Sequence, residues 1–219
     1  VIGVYNVSSV SQGATGLDIS AGTVLQSNSA TDGGAILIIS SADAATTSSS
    51  GTTSALFSKG AVVNVQGGAS LITNKAFGCY DPGKKRGAGG GIYASIGEID
   101  ISTTTFSKNI ATTHGGGIRV INNVASLTVA GTTMSENVAS DGFGGAIANS
   151  ALLFKVSNAC VMSKNVATSG GAISIAPASE ESDTVTDDNG LNIVTDFELK
   201  SLNLVENIAS VLGGGIYID

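Results

Sequence analysis

Seventeen carboxylates, one histidine and two cysteines set the limits of what this 219-residue chain can do chemically. Cleaving a polysaccharide needs two carboxyl groups held a few ångströms apart, one of them kept protonated. Along the chain Glu98, Asp100, Glu136, Asp141, Glu198 and Glu206 are scattered and suggest no such pair, and Arg86 and Arg119 are the only arginines. His114 precedes a glycine pair and has no second histidine or cysteine pair near it, so a transition-metal site is not expected. No Gly-x-Ser-x-Gly elbow supports a nucleophilic serine, and His114 is read as a solvated corner residue. The acidic run Glu180, Glu181, Asp183, Asp187 and Asp188 contains hard oxygen ligands, so Asp183, Asp187 and Asp188 are the candidate Ca²⁺ ligands. That run fails the EF-hand register, because setting Gly190 at the sixth position puts Val185 at the first. A solvated acidic loop is the simpler expectation. Gly87–Gly91 lacks the Gly-Lys-(Ser/Thr) ending of a phosphate loop. No catalytic residue and no cofactor is expected.

The elements that would position these groups are set by a repeat. Its first marker is an apolar residue, two others, then asparagine, which ends at Asn28, Asn74, Asn109, Asn137, Asn165 and Asn207. Alanine follows two positions later in every copy. The second marker is a glycine pair, then Ala or Gly, then Ile. The pairs are Gly33-Gly34, Gly89-Gly90, Gly115-Gly116, Gly144-Gly145, Gly170-Gly171 and Gly213-Gly214. Asn109, Asn137 and Asn165 are spaced by 28 residues, and the longer intervals contain insertions near 40–54, 78–87 and 176–190. Insertions on a solenoid belong in loops at one corner.

Within the regular unit Gly117–Ala139 the runs 117–121, 126–129 and 133–138 alternate apolar with polar residues, as strands with one buried face do. Three short strands in about 28 residues make one triangular coil, and coils of this kind stack about 4.8 Å apart. The expected fold is therefore all-β: a right-handed parallel β-helix of about six or more coils, one segment over 1–219, with three loop insertions. The glycine pairs are expected to take positive φ at a corner. The asparagines are expected to adopt left-handed geometry and to stack as an amide ladder. Cys79 and Cys160 belong to coils three copies apart, too far for a disulfide unless the 78–87 loop folds along the axis.

The paired markers, seen as Phe106-Ser107-Lys108-Asn109 and Gly144-Gly145-Ala146-Ile147, resemble the repeat of the chlamydial polymorphic membrane proteins. That resemblance spans nearly the whole chain. It implies a surface-displayed β-helical passenger acting in adhesion. Only one of the six first markers carries Phe, and three of the six second markers carry Gly in place of Ala.

Composition agrees with a folded β-protein: 30 glycines, two prolines, 42% hydrophobic and 12% charged residues, the last about half the ordinary level. A net charge of −7 argues against nucleic acid, and no apolar run is long enough for a transmembrane helix. With no leader at Val1 and a strand-like run at Gly215–Asp219, the chain reads as a piece of something longer. The functional expectation is a non-enzymatic extracellular or cell-surface protein, an adhesin, passenger or structural stalk. A protein or glycan surface partner is expected, and further coils or neighbouring subunits at both ends. The alternative is a polysaccharide-processing β-helix lyase or hydrolase. Thr103-Thr104-Thr105 and Thr132-Thr133 hint at a flat ice-binding face, but the pattern does not recur.

Overall fold

A computed structural model describes residues 10–40, 53–78, 87–121, 124–175 and 196–219. Among these there is no helix, and none therefore long and apolar enough to cross a membrane. The chain winds as a right-handed parallel β-helix of six coils, every strand pairing in parallel with its counterpart in the next coil.

Each coil contributes four strands rather than three, so four stacks run along the axis. The first contains Val10–Ile19, Thr53–Val65, Gly97–Ser102, Val124–Ala130, Leu153–Ser157 and Asp196–Leu199. The second contains Val24–Gln26, Ser70–Ile72, Thr105–Ser107, Thr133–Ser135, Cys160–Ser163 and Leu202–Val205. The third contains Ser29–Ala30, Lys75–Ala76, Ile110–Ala111, Val138–Ala139, Val166–Ser169 and Ile208–Leu212. The fourth contains Ile36–Ser40, Ile92–Ala94, Ile118–Val120, Ile147–Asn149, Ile173–Ile175 and Ile216–Ile218. The expected single run over 133–138 is cut in two because Glu136 sits at φ 55°, which turns the chain between the second and third stacks.

Residues 41–52, 79–86 and 176–195, which hold most of the three insertions, lie outside the described residues. The flanking strands place their departures at two corners, not one. The first and third leave from the ends of Ile36–Ser40 and Ile173–Ile175 in the fourth stack. The second leaves after Lys75–Ala76 in the third. Where the chain returns at Thr53, it pairs with Ile36–Ser40 before entering the second coil, and Val10 pairs with Ala55 beyond it. This adds strands on the N-terminal side of the fourth stack and joins it to the first as one 12-stranded sheet.

Parallel register turns the sequence repeat into columns of like residues inside the helix. Leu25, Leu71, Phe106, Met134, Met162 and Leu204 are directly in line. So are Ile36, Ile92, Ile118, Ile147, Ile173 and Ile216. In the middle coils these side chains have no solvent exposure. At two coils the third residue of the glycine marker is glycine where both backbone and column side chain crowd it, a Cβ on Gly91 or Gly117 standing 2.7 Å from a carbonyl oxygen one coil on. A Cβ on Gly117 would stand 2.9 Å from Met134 Cε, and one on Gly91 3.2 Å from Phe106 Cδ1.

Truncating Phe106 to alanine is expected to cost about 3–5 kcal/mol in urea denaturation, by removing the widest member of a closed column. Phe77→Ala, at a ring that is 51% exposed, should fall within about 0.5 kcal/mol of wild type.

Candidate functional site

The asparagine corner is the most repetitive constellation of polar groups in the fold. Left-handed geometry falls on the residue before each asparagine, not on the asparagine itself: Ser27, Thr73, Lys108, Glu136, Lys164 and Glu206 have φ between 53° and 57°. That turn points each asparagine side chain along the axis. Each Oδ1 from Asn74 to Asn207 accepts the backbone N–H and one Nδ2–H of the preceding asparagine, at 2.9–3.1 Å. The other Nδ2–H of the same five residues donates to the carbonyl of Leu25, Leu71, Phe106, Met134 or Met162. Asn74, Asn109, Asn137 and Asn165 are fully buried with every amide group satisfied.

The two glycines of each pair do different work. Only the first has positive φ, 57–68° across the six copies. The second has ordinary φ, but at Gly34, Gly90, Gly116, Gly145 and Gly171 a Cβ would overlap the carbonyl oxygen of the glycine one coil further on. The requirement there is close approach between coils.

Among the described residues the acidic side chains do not form an enclosed site. On the outer face of the first stack, Asp18, Asn64, Asp100, Thr128, Lys155 and Glu198 stand in one row. Asn64 Nδ2 donates to Asp18 Oδ1 between the two aspartates. Glu98 and Asp100, two residues apart on one strand, do share this face, about 7 Å apart. Both are exposed, with no wall to desolvate a general acid. Glu198 bonds to Lys200, and that hydrogen bond and the ammonium charge hold its carboxyl below the usual range, opposite to what an acid catalyst needs.

His114 is buried, 4% exposed, and not the solvated corner residue expected. Its Nδ1 accepts the Phe143 backbone N–H at 3.1 Å, and its ring stacks on Phe143 with centroids 5.0 Å apart. Cys160 is a buried free thiol, whereas Cys79 and the Ca²⁺ candidates Asp183, Asp187 and Asp188 lie outside the described residues. Among the described residues no three His, Cys, Asp or Glu side chains cluster as a metal site would require. In register the threonine row of the second stack reads Val24, Ser70, Thr105, Thr133, Val161 and Asn203. It is not a regular threonine face.

Two outer features were not anticipated from the sequence. The third stack presents Ile110, Val138, Val166 and Ile208 outward in one row. Beside its first coils a groove of about 700 Å³ is lined by Gln26, Ser27, Lys75, Phe77 and Lys108, among others, with Lys75 Nζ 5.7 Å from the Phe77 ring centroid. The row was within reach of the sequence, since each of its residues directly follows a marker asparagine; the groove needed the register, which aligns residues 35 or 46 positions apart.

The span from Thr103 to Ile121 contains one asparagine corner, one glycine corner and the strands between them. Residues 103–121 match the family model described as the Chlamydia polymorphic membrane protein repeat. No curated protein and no solved structure matches the chain. In three dimensions the matched span is one coil's worth of corner chemistry: an asparagine that joins the ladder and a glycine pair that lets the next coil approach. The five other coils repeat that arrangement about the same axis.

Gly145→Ala should destabilise the protein by about 3 kcal/mol or more, since its Cβ meets backbone on the next coil. Gly214→Ala should be within about 0.5 kcal/mol of wild type, because a Cβ there meets nothing nearer than Asn207 O at 3.6 Å. Asn137→Asp keeps the acceptor but loses the donors. Burial raises the introduced carboxyl's folded pKa above its unfolded value of about 3.9, so the stability deficit relative to wild type should grow from pH 4 to pH 7 in paired denaturation curves.

Proposed function

We propose that the chain is a non-enzymatic, surface-displayed β-helical scaffold, an adhesin-type passenger or stalk that presents its outer rows and insertions to a protein or glycan partner. The observation that carries this reading is the division between inside and outside. The interior columns and the ladder repeat coil by coil, while outer rows such as Asp100, Thr128, Lys155 and Glu198 change in charge from coil to coil, and the described ones enclose no carboxylate pair. A stiff rod with a variable surface suits display and spacing. The resemblance to polymorphic membrane protein repeats supports an extracellular, outer-membrane-associated setting and adhesion.

Further coils or neighbouring subunits at the ends belong to the same reading. The sixth coil exposes Ile208 at 59% and Val211 at 66%, together with the unpaired edges of all four stacks. The amide ladder is polar along the axis, so a coil added there would offer an asparagine oxygen to the Asn207 N–H groups.

The deciding experiment measures binding of the purified protein to cell surfaces and glycan arrays, alongside reducing-end release from acidic and neutral polysaccharides. Saturable surface binding without polysaccharide turnover is expected. Turnover that disappears in Glu98→Gln or Asp100→Asn would replace this reading with an enzyme.

A further inference from the structure

Arg119 is the least satisfied charged group in the fold. It lies on the outer side of the fourth stack, yet it is only 7% exposed. Of its five N–H donors, one is used: Nη1 donates to Ser150 Oγ at a long 3.4 Å. Its Nε–H has no partner, and it takes part in no ion pair among the described residues. A guanidinium cannot shed its proton to escape burial as a lysine can. A buried unpaired charge is strongly unfavourable, and such a group in a folded protein commonly marks the place of an ion.

The surroundings suit a small anion. In register, the outer row reads Tyr93, Arg119, Ala148, Ser174 and Tyr217. Two short side chains, Ala148 and Ser174, follow the arginine over about 10 Å of axis, and each is only 1% exposed, so the face is enclosed there. The Tyr217 ring rests against Phe143, with centroids 6.0 Å apart, which walls that end with aromatic carbon. At the far end the Tyr217 hydroxyl is taken up by Asp219 Oδ1 at 3.1 Å, so the row's contribution beside the arginine is the Ser174 hydroxyl, and no carboxylate stands in the row itself.

We propose that Arg119 is the anchor of an oxyanion site on the fourth stack, taking a sulfate, phosphate or carboxylate group through two parallel N–H donors, with Ser150 beside it. Fork-to-oxygen pairing of this kind is what distinguishes arginine from lysine as an anion receptor. The group is either a free inorganic ion or the acidic substituent of a sugar. The site stands independently of the adhesin reading.

The test is thermal unfolding of wild type, Arg119→Met and Arg119→Lys in sodium sulfate, sodium phosphate and sodium glucuronate, each against sodium chloride at matched ionic strength. Wild type should show a saturable rise in Tm of about 3–5 °C at 10 mM of at least one oxyanion. Response to the inorganic ions indicates a free anion, and response to glucuronate alone a sugar carboxylate. Arg119→Met should retain only the unsaturating stabilisation that sulfate and phosphate give any protein. Arg119→Lys, which keeps the charge and the fold, should need at least about tenfold more anion. A wild type that responds to none of the three overturns the proposal, as does an Arg119→Met response equal to wild type. Equal potency of Arg119→Lys would likewise remove the two-donor recognition.

Discussion

The coil-to-coil bond between buried asparagines is the constraint on which the rest of the architecture depends. An amide whose oxygen takes two bonds from the preceding coil, and whose nitrogen serves both neighbours, allows no vertical slip. Any coil with its asparagine displaced by one residue would leave buried donors and acceptors unpaired on both sides. The left-handed residue before each asparagine and the glycine pair after it follow from the same demand. One aims the side chain along the axis, and the other lets backbones approach until hydrogen bonds form across the corner. The first glycine accordingly follows the asparagine by five to seven positions in five of the six coils, the insertion between Asn74 and Gly89 being the exception, and chain length is freer elsewhere.

Freedom elsewhere is what gives the molecule a surface worth displaying. Interior columns of Ile, Ala and larger apolar residues repeat with little change. Outward positions range from the Lys108–Glu136 and Lys164–Glu206 pairs along the asparagine corner to the apolar row of Ile110, Val138, Val166 and Ile208. Those ion pairs are solvated and contribute little to stability. Their effect is to alternate charge along one ridge of the rod. Carboxylates on an open sheet face remain hydrated, which favours recognition over acid–base catalysis.

Legibility in the sequence divides along the same line. The parallel β-helix, the coil count and the identity of the corner residues were readable because stacking repeats them locally, in fixed order and at short range. The fourth strand was not read, although Ser135-Glu136-Asn137 interrupts the alternation within 133–138, because nothing about Glu136 announces a left-handed residue. The distinct tasks of the two glycines were also hidden. Positive φ is a property of one residue, but close approach is a property of two coils.

The sequence by itself determined which residues face inward and roughly where the chain turns, though not which residue takes the left-handed conformation, since period-two alternation and the two markers are contained within single coils. Only the tertiary structure decided what stands beside what across coils. It paired Asp18 with Asn64, buried His114 under Phe143, and enclosed Arg119 with one long hydrogen bond to Ser150. The physical reason is that lateral neighbours in a solenoid are separated by a whole coil plus any insertion, so their contacts depend on register rather than on local pattern.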